Sequence, residues 1–192
     1  MSPLTLDGGH VRLVPLTLDH VDALCEVGLD PELWRWTTSV IRTCDDMRRY
    51  VEGALDARAA GTALPFVTIH KESGRVVGST RFGNYAPAHR RVEIGWTFVA
   101  PPWQRTPVNT DAKLLMLRHA FGSLDLNRVE WKTDARNARS RAAILRLGAT
   151  EEGTLRKHMV TASGHVRDSV YFSVTRDEWP GVETRLVAAL DR

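Results

Sequence analysis

The sequence predicts a mixed α/β fold in which helices pack on a mostly antiparallel sheet. Three observations carry this. Residues 92–124 read as strand, loop and helix. The alternating runs 66–70 with 75–82, and 154–161 with 166–174, are each joined by a short turn. A further alternating run, 128–133, follows the central helix, which admits one parallel strand pair around it. At 192 residues a single domain over 1–192 is expected, large enough to bury a sizeable core.

Taken in order, Val11–Pro15 alternates and reads as the first strand. Thr17 can cap a helix carrying Leu18, Val21, Leu24 and Val27. Residues 30–42 are aromatic and irregular, with Pro31, Trp34 and Trp36. Thr43 and Asp46 form a helix-opening pair, and Met47, Tyr50, Val51, Ala54 and Leu55 follow at helical spacing until Gly61. Two strands then flank a Lys71–Gly74 turn as a hairpin. Val92, Ile94, Trp96, Phe98 and Val99 build the central strand, which Pro101 and Pro102 end. Thr110 can cap the helix bearing Leu114, Leu117, Phe121 and Leu124. Residues 128–133 form the next strand, 138–147 a helix stopped by Gly148, and 154–161 with 166–174 a hairpin about Ser163-Gly164. A short helix from Trp179-Pro180 closes the chain.

Composition narrows the function. The net charge is +3, and residues 96–192 hold 15 Lys and Arg against 11 Asp and Glu. That mild excess suits an anionic ligand, while the dispersed basic residues and missing recognition motif argue against nucleic acid. Cys25 and Cys44 make neither a framework nor a metal pattern, and seven scattered histidines lack ligand spacing, so no metal is expected. No segment approaches a membrane span and the opening residues lack a leader pattern, giving a cytoplasmic expectation with no membrane partner. The strand–loop–helix at 92–124 offers helix amides and a partial positive charge to a phosphate. Nucleotide-binding glycine motifs are absent.

Four stretches resemble the GNAT family of acetyl-CoA-dependent N-acetyltransferases: Arg12-Leu13-Val14-Pro15-Leu16, Glu93-Ile94-Gly95-Trp96, Gln104 opening a loop where that family has Q/R-x-x-G-x-G/A, and Asn137-Ala138-Arg139-Ser140 followed by Leu147-Gly148-Ala149 and Glu152-Gly153. The last is similar to the branch containing the ribosomal-protein N-acetyltransferases. The resemblance implies a mixed, mostly antiparallel sheet of six to seven strands flanked by about four helices, with its fourth and fifth strands parallel. Acetyl-CoA would be the co-substrate, a peptide or small-molecule amine the acceptor, and a homodimer is plausible by resemblance alone. The two loop glycines are replaced by Pro107 and Asn109, so the loop either binds pyrophosphate less tightly or follows another path. Asp111 would repel the phosphates if it pointed inward. Lys113 either answers an anion or forms a solvated pair with Asp111.

The reaction so implied needs a neutral amine, a polarised carbonyl and a proton for the leaving thiolate. Glu93 matches the family's base, working through a water, and enclosure would raise its pKa. A salt bridge to Arg90, Arg91 or another cation is the alternative. Ser140 matches the acid, with a first-turn hydroxyl as its alternative, and Asn137 a contact to the pantetheine arm, with a cap role beside it. Backbone of Phe98 and Val99 would pair with pantetheine, while Gln104, Val108, Asn109 and Thr110 would hold the pyrophosphate. Arg136, Arg139 and Arg141 are candidates for the 3′-phosphate, Trp34 and Trp36 for a pocket wall, and Tyr171 for a place near the thioester or in the sheet core. Freeing an α-amine at pH 7 costs about 1 kcal/mol against about 4–5 for a lysine-like amine. With one well-placed carboxylate this leans toward an α-amine; a polyamine would call on Asp45, Asp46 and Glu52. A catalytically silent module of the same shape is the competing class.

Overall fold

The computed structural model describes residues 2–161 and 163–191. Its strands are β1 (Leu6–Asp7), β2 (Val11–Pro15), β3 (Leu64–His70), β4 (Val76–Ala86), β5 (Arg91–Val99), β6 (Arg128–Asp134), β7 (Thr150–Val160) and β8 (Val166–Thr175). Its helices are α1 (Val21–Gly28), α2 (Cys44–Ala59), α3 (Pro107–Arg118), α4 (Ala138–Arg146) and α5 (Trp179–Leu190). The eight strands form one sheet in the order β1-β2-β3-β4-β5-β6-β8-β7. All neighbours are antiparallel except β5 and β6.

This corrects the expected six to seven strands with a parallel fourth and fifth. Leu6–Asp7 adds a two-residue strand against Leu13 and Arg12, too short to show a period in the sequence. It shifts the parallel pair to β5/β6. Five α-helices, rather than about four, flank the sheet among the described residues.

The alternation of each strand sorts its side chains into layers. Val92, Ile94, Val129, Trp131, Val170 and Phe172 face α3 and α5, where Leu114, Leu117, Phe121 and Leu186 complete one core. A second core lies under α1 and α2, built by Leu24, Met47, Val51, Val67 and Phe98. Thr43 and Asp46 cap α2 reciprocally, Thr43 Oγ1 accepting from the Asp46 amide at 3.1 Å and the Asp46 carboxylate from the Thr43 amide at 2.9 Å. Gly148 ends α4 at φ +99°, a left-handed position open to glycine.

Cys25 on α1 and Cys44 at the start of α2 are joined as a disulfide with Cα atoms 5.5 Å apart. The expectation that they form no framework is therefore wrong. A separation of 19 residues carries no pairing signal; the packing of α1 on α2 creates it. The cysteine argument for a reducing compartment goes with it.

Candidate active site

β5 and β6 run together for three rungs only, the last pairing Glu93 with Glu130. Past Glu93 the strands part. The pairing of β5 with β4 slips between Ser79/Phe98 and Arg81/Gly95, a bulge that bends β5. Within it Trp96 takes φ +49°, and its carbonyl accepts the Tyr50 hydroxyl of α2 at 3.0 Å. Gly83 makes room for the displaced indole, since a Cβ there would lie 2.3 Å from the ring. The fork opens into a cavity of about 930 Å³.

One end of the cavity lies between the free edge of β5 and α4. Phe98, Val99, Gln104, Asn109, Asn137 and Ser140, all expected there, line it. Gln104 bridges the opening: its Nε2 donates to the Val99 carbonyl at 2.8 Å and its Oε1 accepts from Arg139 at 3.0 Å. Asn137 caps α4, its Oδ1 accepting from the Ser140 amide at 3.0 Å. The Ser140 hydroxyl, in the first turn, has no partner among the described residues. The cap and first-turn alternatives thus hold alongside the cavity-lining positions.

Val108 and Thr110 do not line the cavity. The helix starts at Pro107, with Thr106 as its cap accepting from the Val108 amide, so Thr110 is not the cap and Val108 is packed in the core at 1% exposure. Proline suits the first helical position, where an amide would have no intrahelical partner. The turn is made by Arg105 at φ +63°. The loop before α3 contains no glycine, and the helix begins directly at Pro107.

Asp111 points away from the cavity. Its carboxylate accepts from the amides of His10 and Val11 at 2.6 and 2.9 Å, tying α3 to the start of β2. Lys113 is buried too, its Nζ donating to Thr80 and Thr97 hydroxyls at 2.8 and 2.9 Å, and desolvation lowers its pKa to about 7. Both are 3% exposed, so the solvated-pair reading fails. This end offers a helix N-terminus with Arg105 and Arg139, and the buried Lys113 also borders it, a fit for a phosphate-bearing tail.

The other end is built around Glu93. Glu93 is 3% exposed, and its Oε2 accepts from Asn84 and Lys132, each at 2.7 Å. Its Oε1 has no donor among the described residues. The expected enclosure is present, and a cation comes with it: Lys132, not Arg90 or Arg91, which pair with Asp125 and Glu130. Trp34 is both wall and core, its ring against Tyr50 and Phe98 at 5.3 and 5.2 Å. Trp36 lines the cavity with Arg136 stacked 4.7 Å from its ring. Tyr171 lies outside the lining, edge-on to His158. Arg136 pairs with Asp134 and Arg141 with Glu151, leaving Arg139 as the lining member of that trio. Asp45, Asp46 and Glu52 stand apart on α2.

The sequence reading passed over Lys132, Arg167 and Asn84. Lys132 and Arg167 were legible as lone cations in alternating strands, though nothing marked the face they share with Glu93. Among the described residues no group of His, Cys, Asp or Glu could hold a metal, and no helix is long and apolar enough to cross a membrane.

Residues 10–150 match the family described as an acetyltransferase (GNAT) domain. The uncharacterized N-acetyltransferase p20 of Bacillus licheniformis is 28% identical over 178 residues, covering 92% of this chain and 99% of that protein. A GCN5-related N-acetyltransferase from Brucella melitensis superposes with TM-score 0.92 at 31% identity, over 99% of this chain and 86% of that one. Mycobacterium smegmatis RimJ, solved in complex with CoA-disulfide, superposes with TM-score 0.82 at 27% identity over 97% and 95%, in keeping with the likeness to the ribosomal-protein branch. With the forked sheet and these matches in agreement, the chain belongs to the GNAT family of acetyl-CoA-dependent N-acetyltransferases.

Proposed function

We propose that the protein moves the acetyl group of acetyl-CoA to a primary amine, the α-amine of a peptide or of a small molecule, by direct attack, with Glu93 as base and Ser140 as acid. The observation that carries this is Glu93 itself: a buried carboxylate at the last rung before the fork and the only carboxylate lining the cavity among the described residues. Lys132 and Asn84 hold one oxygen, which leaves Oε1 to take the amine proton, directly or through a water. As the N–C bond forms and the C–S bond breaks, Ser140 gives its proton to the leaving sulfur. Amides on the open edge of β5 polarise the carbonyl. Asn137 orients the pantetheine arm with its side-chain amide, and the start of α3 with Arg105 and Arg139 receives the phosphates.

An α-amine is favoured over a polyamine because the acidic cluster a polyamine would call on lies outside the cavity. A cytoplasmic location goes with this reading, acetyl-CoA being an intracellular thioester.

The test is thiol release from acetyl-CoA over a panel of peptides and small amines. Glu93→Gln is expected to slow it by about 10²–10⁴-fold; an unchanged rate removes Glu93 from the chemistry. Calorimetry with CoA addresses the silent module. Affinity in the micromolar range is expected, and no heat at millimolar ligand would overturn the transferase reading.

A further inference from the structure

The acceptor end of the cavity holds more positive charge than the protein balances. Arg81 on β4, Glu93 on β5, Lys132 and Asp134 on β6 and Arg167 on β8 run across one face of the sheet. Arg81 stands opposite Gly95, one alternation from Glu93. Lys132 and Asp134 stand opposite Tyr171 and Ser169, with Arg167 two residues before Ser169. Two ion pairs close inside this stripe, Lys132 with Glu93 at 2.7 Å and Arg136 with Asp134 at 3.1 Å. Arg81 and Arg167 are left over.

Each of these arginines is 6% exposed, and neither makes an ion pair among the described residues. Arg167 donates Nε to the buried Ser169 hydroxyl at 2.9 Å. Its two terminal nitrogens have no protein acceptor among the described residues, and the side chain lines the cavity. Arg81 is held between Tyr50 and Trp96, 5.0 Å from each ring centroid, with its Nε unpartnered. Burying a guanidinium without a counter-anion is costly. Desolvation lowers the Arg167 pKa, which neighbouring Asp134 and Glu93 only partly offset.

The missing anion does not come from the co-substrate. Its phosphates fit the far end, at α3, and the acetyl thioester is neutral. The acceptor must bring it. We infer that the acceptor is a primary amine bearing a carboxylate close to the reacting nitrogen, and that Arg167 receives this carboxylate and sets the specificity. The inference rests on the transferase reading of the same cavity. A planar carboxylate matches the guanidinium fork, and cations around the amine favour its neutral, attacking form. Two sources present this chemistry: a free α-amino acid, and a peptide whose first residue is Asp or Glu.

The experiment compares thiol release in two matched series: free amino acids against their carboxamides, and peptides beginning with Asp or Glu against those beginning with Asn or Gln. The carboxylate member of one series is expected to show kcat/KM higher by about tenfold or more, and Arg167→Gln to shrink that ratio to about twofold. The series showing the preference names the source. Equal kcat/KM within both series overturns the inference, as does a preference that survives in Arg167→Gln; the wild-type comparison decides alone if the variant does not fold. Calorimetry of the same compounds with CoA-loaded protein separates the two readings. Carboxylate-dependent binding without turnover refutes acetyl transfer and upholds the anion site, whereas turnover without preference does the reverse.

Discussion

Lys113 reaches from the middle of α3 to donate its Nζ to Thr97 Oγ1 at 2.9 Å, fastening a buried amine beneath the bulge of β5. Thr80 shares the arrangement, its hydroxyl 2.7 Å from that of Thr97. The helix whose first turn borders the cavity is thereby tied to the strand that forms the fork.

This amine makes stability depend on pH. Desolvation lowers its pKa from 10.5 to about 7, while in the unfolded chain it keeps the higher value. Between those two values the unfolded state binds a proton the folded state has lost, so stability rises with pH across the window. Below it both states are protonated and the burial penalty is felt in full. Lys113→Met, which leaves the two threonine hydroxyls paired, is expected to be more stable than wild type near pH 6, with the advantage shrinking toward about pH 9. Urea midpoints at the two pH values measure this, and a gap that does not change with pH refutes it.

Asn137 caps α4, and the contact to the pantetheine arm proposed for it is separable from that cap. Asn137→Asp keeps the cap acceptor for the Ser140 amide but removes the side-chain donor, so folding stability should change by less than about 0.5 kcal/mol while KM for acetyl-CoA rises. Asn137→Ala should lose about 1 kcal/mol as well. Denaturation and steady-state kinetics on both variants distinguish cap from ligand contact.

Asp111→Ala strips the amides of half-buried His10 and buried Val11 of their acceptor. A loss of about 2–4 kcal/mol in unfolding free energy is expected. If the carboxylate instead served the phosphates, the change would appear in the affinity for CoA, which calorimetry reads independently.

Ser140→Ala leaves the α4 cap in place, because Asn137 bonds the backbone amide of residue 140 and not its hydroxyl. With the proposed acid gone, kcat should fall by about 10²-fold and KM for acetyl-CoA should barely move. A full-rate variant would assign the proton to water.

Much of the fold was legible because its signals are local. The hairpins at Lys71–Gly74 and Ser163-Gly164, the Thr43–Asp46 cap and the Gly148 stop each lie within a few residues. The lining positions of Glu93, Gln104, Asn137 and Ser140 followed from motif order along the chain. The misses have a common cause. Thr110 looked like a cap because it precedes the apolar run, but Thr106 and Pro107 start the helix a turn earlier. Asp111 and Lys113 admitted a solvated-pair reading beside an anion-binding one because neighbouring charges are commonly exposed; only the packing of α3 against β2, β4 and β5 gives each a buried partner.

The sequence by itself determined most of the elements, their order and the strand–loop–helix–strand stretch that holds the one parallel pair, since period-two and helical patterning act over short range. The tertiary structure decided how deep the fork runs, through a bulge opposite Thr80 that no pattern announces. It also decided which charges are compensated. Lys132 meets Glu93, 39 positions away, because β5 and β6 lie side by side, while Arg167 and Arg81 form no ion pair among the described residues; pairings between strands so distant in the chain are beyond what spacing along it can report.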